Sequence, residues 1–339
     1  MLPFTTWQWQ LHDYGSSNLR LAQAPLSRPG PHRVVVRVGA VSLNYRDRLI
    51  LENGMGSPLR FPLVPGSDLA GQVVAVGEGV SRVGVGQRVI NTFWRDWLDQ
   101  PVPYQAADAA FGSADLPGVL SQYVEVHEDN LVAAPRTLDD GAASTLVCAG
   151  LTAWHSLVEV GRLQAGQWVL VQGSGGVSLF AAQLALSLGA QVILTSASAD
   201  KRERARALGI QQVIDRTQPD WAEQAWQATG GRGVDIAVEV AGGDLGRTLE
   251  ALAPGGVITV VGVLEGFKLQ IPCATLFAKR ARIQGIAVGS RRTLEDLVRW
   301  IDQAAITPTL AAEYALAELP AALAHLKRGA FGKVVVRMD

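Results

Sequence analysis

The sequence predicts an α/β protein in which a domain built on a doubly wound parallel sheet is joined to an irregular β-rich domain. Three observations predict it. From residue 168 to 263 short apolar runs alternate with helically periodic stretches, as in parallel sheets whose strands are covered on both faces. A glycine turn, Gly173-Ser174-Gly175-Gly176, joins the first of these strands to its helix. Residues 1–125 carry instead short strand signals punctuated by Gly and Pro.

Strand signals in that first region stand at Arg33–Val38, Gly71–Val76 and Arg88–Asn91, with Gly77-Glu78-Gly79 and Gly84-Val85-Gly86 as turns. Residues 92–118 break the pattern with a long segment bearing Phe93, Trp94, Trp97, Tyr104 and Phe111. Loops of such length are commonly functional, and these aromatics read equally as pocket lining, buried packing or a subunit contact. Leu138–Val160 reads as a helix, with Asp139 and Asp140 near its start. Val169, Leu170 and Val171 then form a buried strand. Val177–Leu188 is a helix with Val177, Phe180, Ala181, Leu184, Ala185 and Leu188 at helical spacing, and Gln191–Thr195 is the next strand.

The alternation continues with a strand at Gln211–Asp215, a helix at Trp221–Thr229 and a strand at Val234–Val240. A helix at Leu245–Leu252 and a strand at Val257–Val263 follow. Ile283–Val288 is a further strand, Leu294–Ala304 a helix, and Phe331–Arg337 a final strand that rejoins the first domain. The 339 residues suit two domains. They are expected at 1–130, completed by 276–339, and at 131–275.

Thirty Lys and Arg against 31 Asp and Glu give a net charge of −1, so no basic field favours nucleic acid. No run of about 18 apolar residues occurs, and no membrane span is expected. The N-terminal residues lack the charged start and apolar stretch of a signal peptide; the expectation is a cytoplasmic protein. The two cysteines, Cys148 and Cys273, are too few for a disulfide framework or a four-cysteine zinc site.

A helix that starts in a glycine turn presents unpaired N–H groups and the positive end of its dipole, a place for a pyrophosphate. Gly173, Ser174, Gly175, Gly176 and Val177 are therefore candidate cofactor-binding residues of a Rossmann dinucleotide fold; a purely structural turn is the alternative. The fingerprint G-x-G-x-x-G is met only in part, because its third glycine is replaced by Ser178. An acidic residue at the end of the second strand would bind ribose hydroxyls and repel a 2′-phosphate. Ser196 stands there, followed by Ser198 and Lys201. Hydroxyls beside a cation suit a phosphate, which favours NADP(H) over NAD(H). Lys201, Arg202, Arg204 and Arg206 also read as the solvated face of the next helix.

The whole chain resembles the medium-chain dehydrogenase/reductase superfamily, and within it the zinc-independent quinone oxidoreductase-like branch. The residues that carry the likeness are Ser42-Leu-Asn44-Tyr45-Arg46-Asp47, Pro65-Gly66-Ser67-Asp68-Leu-Ala-Gly71 and the glycine turn at 173–178. Gly230-Gly-Arg-Gly-Val-Asp235, Gly255-Gly256, Leu276-Phe-Ala-Lys-Arg280 and the closing Gly332-Lys333-Val-Val complete them. The resemblance implies a GroES-like catalytic domain and a Rossmann NADP(H)-binding domain. It implies a contact near the nicotinamide for Asn44, and further cofactor contacts for Thr152, for Val240, Ala241 and Gly242, for Gly262 and Val263, and for Lys333, for which a surface lysine is the commoner alternative. Tyr45 is a candidate for steering a substrate oxygen or donating a proton; a packing tyrosine is the equal alternative. The Ile283–Val288 strand resembles one that pairs across a dimer two-fold, which implies a homodimer.

Zinc dehydrogenases of the superfamily place a cysteine where Asn44 stands, Gly-His-Glu where Gly66-Ser67-Asp68 stands, and a third ligand at Cys148. An amide and a hydroxyl are poor zinc ligands, so no metal is expected. Without a Lewis acid a plain carbonyl is hard to reduce, whereas hydride addition to a conjugated carbonyl or quinone yields a delocalised anion. The expected activity is NADPH-dependent reduction of a quinone or α,β-unsaturated carbonyl, with hydride passing in the cleft between domains, outside the carboxyl ends of the strands. An alcohol dehydrogenase-type reaction on small alcohols or aldehydes, and a non-catalytic NADPH-binding protein, are the alternatives.

Overall fold

In the computed structural model residues 2–99, 110–113 and 116–338 are described. The chain divides into two units, residues 1–151 with 289–339, and residues 152–288.

Apolar alternation in Arg33–Leu43, which buries Val34, Val36, Val38 and Val41, makes this the central strand of the first unit. It pairs antiparallel with Asp68–Val76, with Tyr123–His127 and with Lys333–Arg337. Leu310–Ala315 runs parallel beyond Lys333–Arg337, while Arg88–Asn91 and Leu131–Ala133 extend the other side. A hairpin of Thr5–Leu11 and Leu19–Pro25 packs Trp9, Leu11 and Leu19 into the same core as Val36, Leu69 and Val334. The closing strand thus does rejoin the first unit.

The second unit holds six parallel strands in the order Gln212–Asp215, Gln191–Ser196, Trp168–Gln172, Val234–Glu239, Leu252–Val260 and Arg282–Gly285. Their direction of progress reverses between Trp168–Gln172 and Val234–Glu239, which makes the carboxyl ends there the ligand crevice of a doubly wound sheet. Leu170, Ile193, Ala237 and Ile258 form the sheet's contribution to the core. The helix Gly176–Ser187 buries Leu179, Phe180, Leu184 and Ala185, as its periodicity predicts.

The unit boundaries differ from the expected ones at both ends. Residues 131–151 lie with the first unit, because Leu131–Ala133 pairs with Arg88–Asn91 and the helix Asp140–Ser144 packs on Arg33–Leu43. Residues 276–288 lie with the second, because Arg282–Gly285 extends its sheet beside Leu252–Val260. The expected helix 138–160 is a helical run in which α-turns alternate with wider π-turns at 146–150 and 155–160. Phe93, Trp97 and Phe111 are buried, in keeping with the packing reading of that segment; Tyr104 lies outside the described residues.

Candidate active site

Two clusters collect the chemistry, one in each unit. In the second unit the turn after Trp168–Gln172 is made by Gly173 at φ +75°, a conformation that costs a side-chain-bearing residue strain. Ser174 is buried, Gly175 caps the helix, and Gly176 and Val177 open it. No side chain caps this N-terminus, and a Cβ on Gly175 would point into open space. The amides therefore face a free approach that suits a pyrophosphate. Ser178, in place of the third glycine, donates to the Gln172 carbonyl at 2.7 Å. The serine thus serves the helix–strand junction that glycine serves elsewhere.

At the end of the second strand Ser196 is buried, and its hydroxyl accepts from the Ser198 amide at 3.4 Å. Ser198 caps the helix Ala199–Ala207 and accepts from the Lys201 amide. The residue that sequence reasoning left on a solvated face is Arg202. Its guanidinium donates to the Ser196 and Ala197 carbonyls and pairs with Asp215 at 2.9 Å. A cation is thereby fixed at the strand end.

Glu239 was missed too. It ends the strand Val234–Glu239, which is apolar apart from Asp235, and a carboxylate at the strand's carboxyl end is the signal that could have found it. Fully buried, it takes four donors: Ala241 and Gly242 amides on Oε1, and the Gln172 amide and Thr248 hydroxyl on Oε2. Burial nonetheless pushes its carboxyl above the usual range. Glu239 so shapes the turn of Val240, Ala241 and Gly242. Gly262 and Val263 lie just past the end of the neighbouring strand, and a Cβ on Gly262 would stand 1.7 Å from the Val240 carbonyl oxygen. A pocket of about 200 Å³ opens here, lined by Gln172, Thr195, Arg216, Glu239, Gly242 and Thr248 among others. Thr152 is buried, its carbonyl accepting from Ser156.

In the first unit Asn44, Ser67, Asp68 and Lys333 are all buried and meet. Lys333 Nζ donates to the Leu43 carbonyl at 2.7 Å and to Asn44 Oδ1. Asn44 Nδ2 donates to Asp68 Oδ2 at 2.8 Å and to Ser67 Oγ at 3.4 Å, and Ser67 Oγ donates to Asp68 Oδ1 at 2.6 Å. Burial raises the Asp68 carboxyl, with the Lys333 charge the main opposing influence. Asp47 caps the Asn44 amide at 2.7 Å and is pushed up to about 6 by burial, against the pull of Arg46. Tyr45 begins the helix Tyr45–Asn53, half-buried, with the Arg48 guanidinium 5.8 Å from its ring centre.

These residues do not fit a zinc ion. The Asn44 oxygen is engaged by an ammonium, and the Ser67 hydroxyl is engaged by Asp68. Burial pushes the Cys148 thiol up to about 12, and it is the one soft donor among the three positions. Among the described residues no group of three or more His, Cys, Asp or Glu is placed to hold a metal.

Residues 30–136 match the alcohol dehydrogenase GroES-like domain, and residues 176–303 the zinc-binding dehydrogenase family. The chain is 35% identical to the zinc-type alcohol dehydrogenase-like protein C1773.06c of Schizosaccharomyces pombe, over 91% of this chain and 92% of that protein. It belongs to the medium-chain dehydrogenase/reductase superfamily. A superfamily crystal structure, a candidate alcohol dehydrogenase from Sinorhizobium meliloti 1021, superposes with a TM-score of 0.96 at 49% identity, covering 100% of both chains. The quinone oxidoreductase of Rattus norvegicus is 26% identical over 96% of each chain. As a medium-chain dehydrogenase/reductase, the chain is an oxidoreductase whose second unit binds a nicotinamide dinucleotide. Among the described residues no helix is long and apolar enough to cross a membrane.

Proposed function

We propose that the chain is a zinc-independent, NADPH-dependent oxidoreductase that transfers hydride to a quinone or an α,β-unsaturated carbonyl. The observation that carries this reading is the closed Lys333–Asn44–Asp68–Ser67 network, in which Asn44 and Ser67, two of the three residues at the superfamily's metal position, are hydrogen-bonded to Lys333 and Asp68. The likeness to a quinone oxidoreductase along nearly the full length supports the substrate class.

Bound NADPH supplies the hydride from nicotinamide C4. The chain's own residues do the rest. The amides of Gly175, Gly176 and Val177 hold the pyrophosphate. The hydroxyls of Ser196 and Ser198, with Lys201 and the anchored Arg202, receive the 2′-phosphate through charge-assisted hydrogen bonds. Glu239 keeps the Val240–Gly242 turn in the shape that would receive the nicotinamide half, with Gly262, Val263 and Thr152 as the further residues that would contact the cofactor. Asn44, its amide fixed in one orientation, is the first unit's residue that would face the cofactor. Tyr45 steers the substrate oxygen, and its hydroxyl donates the proton that the reduced product needs.

Purified protein mixed with NADPH and a panel of quinones and enones should show loss of the nicotinamide absorbance with at least one acceptor. Tight NADPH binding with no turnover of any acceptor would leave a non-catalytic binder. The names of the yeast and Sinorhizobium relatives favour a second reading, alcohol dehydrogenase activity on small alcohols or aldehydes. Alcohol oxidation accompanied by stoichiometric zinc would establish it in place of ours.

A homodimer and a cytoplasmic setting belong to the same proposal. Arg282–Gly285 is an edge strand, and the nearby segment exposes Leu264, Phe267 and Phe277, the last two at 71% and 72%. Unpaired edges beside exposed apolar surface favour pairing with a second copy. Sedimentation should return twice the chain mass.

A further inference from the structure

We propose that Lys333 is the resident cation of the Asn44–Ser67–Asp68 cluster: its ammonium supplies the positive charge that a metal supplies at this position in zinc-binding relatives, and it fixes the orientation of the Asn44 amide. The inference deepens the zinc-independent reading above and rests on it.

The register of the sheet places Lys333 there. Val334 is the partner of Leu43 in the antiparallel pair, so Lys333 stands opposite Asn44, one position beyond. A lysine at this point is 4% exposed, and burial of an ammonium is expensive unless it is paired and hydrogen-bonded. Two of its three donors go to the Leu43 carbonyl and Asn44 Oδ1. Because an ammonium can only donate, the amide must turn its oxygen to Lys333 and its nitrogen to Asp68. Asn44 thus bridges a buried positive and a buried negative charge, its oxygen turned to the ammonium and its nitrogen to the carboxylate.

The charges of the cluster are balanced without any added ion. Lys333 and Arg46 face Asp68 and Asp47, with Arg46 Nη1 3.9 Å from Asp47 Oδ1. A divalent cation entering this set would meet the ammonium at the position where a ligand is required. It would also find the Ser67 proton directed at Asp68. Lys333 accordingly sets the orientation of the Asn44 amide.

The test compares wild type, Lys333→Met, Asp68→Asn and the double variant as full-length proteins at one neutral pH. Thermal midpoints are measured with and without micromolar zinc, and zinc per chain is measured by mass spectrometry after gel filtration. Each single variant leaves one buried charge without its counterpart and should melt several degrees below wild type. The double variant removes both charges and should regain at least half of the loss. Zinc should leave the midpoint of wild type unchanged and the protein metal-free. If Lys333→Met does not fold, Asp68→Asn and the double variant still decide, since adding Lys333→Met to Asp68→Asn should then raise stability. Additive losses overturn the proposal, as does stoichiometric zinc on wild type. A wild type that turns over no acceptor while the coupling persists defeats the substrate class alone. Lost coupling in an active wild type defeats the role of Lys333 alone.

Discussion

Replacing Ser196 with Asp should invert the cofactor preference, and the surroundings of Ser196 set the size of the effect. The side chain is 4% exposed and lies in register with Asp215 on the neighbouring strand. Its backbone carbonyl anchors Arg202, which Asp215 already pairs at 2.9 Å. The substitution removes a hydroxyl donor to the 2′-phosphate, a loss of about 0.5–1.5 kcal/mol. It also adds a carboxylate beside a phosphate carrying nearly two charges; a separation of roughly 5 Å serves for the arithmetic. With an effective dielectric of about 40, each pair of unit charges at that distance repels by about 1.7 kcal/mol. Arg202 offsets part of this, since it can swing toward the new carboxylate. The net penalty for NADPH is then about 1–3 kcal/mol, or roughly 5- to 150-fold in Kd. NADH binding should be unchanged or tighter, because the carboxylate can accept from the ribose hydroxyls. Fluorescence titration of both cofactors on both proteins gives the ratio, with thermal melting as a check that the fold survives. An unchanged NADPH/NADH ratio in a folded variant would show that Ser196 does not face the phosphate, and the assignment of NADP(H) from this strand end would fall.

Other expectations follow from single contacts. Gly262→Ala puts a methyl 1.7 Å from the Val240 oxygen; the two strand ends must part, at a cost of about 1–3 kcal/mol, so calorimetry should show a lower Tm and titration a weaker cofactor affinity. Glu239→Gln presents an NH2 group to donors that now meet a carboxylate, leaving buried groups unpaired at about 1–3 kcal/mol. Its NADPH Kd by calorimetric titration should rise, and an unchanged value would remove Glu239 from any role in shaping the 240–242 turn. Backbone amides of Ser81 and Arg82, with His32, hold Glu128 down at about 2. Because that folded-state pKa lies below the unfolded value of about 4.3, the stabilisation is complete above the unfolded value. It is lost as pH falls toward 2. Melting curves across pH 2–6 should accordingly show a shallower acid limb in Glu128→Gln than in wild type.

The second unit was legible in the sequence because its strands are buried on both faces and its helices carry a clean period. Each expected strand and helix from 168 to 263 is present to within a few residues, apart from the last strand, which starts at Leu252. The first unit was less so. Thr5–Leu11 reads Thr-Thr-Trp-Gln-Trp-Gln-Leu and alternates, but only Thr6, Trp9 and Leu11 are buried, and the glutamines disguise the strand. Leu131–Ala133 is three residues long, too short to give a period at all. The helix Tyr45–Asn53 is strongly polar, with Arg46, Asp47, Arg48 and Glu52 in nine residues. Tertiary partners fix it: Asp47 closes its start on Asn44, and Arg46 lies 5.0 Å over the Phe93 ring while donating to the Phe111 carbonyl.

The site divides along the same line. A glycine turn between strand and helix is local, so its phosphate-binding chemistry can be read from consecutive residues. The Lys333–Asn44–Asp68 network joins positions separated by 289 and 24 residues, and no period or spacing announces it. From sequence, the substitutions at 44 and 67 say only that good metal ligands are missing. The structure adds that a lysine from the closing strand is buried against them. This changes the argument from one of deficiency to one of replacement. A cluster that had merely lost its ligands would have little reason to keep a buried Asp68, since a lone carboxylate there is costly. Retaining Asp68 becomes favourable only with a permanent cation beside it, and the fold provides that cation by ending the chain on the strand that runs past Asn44.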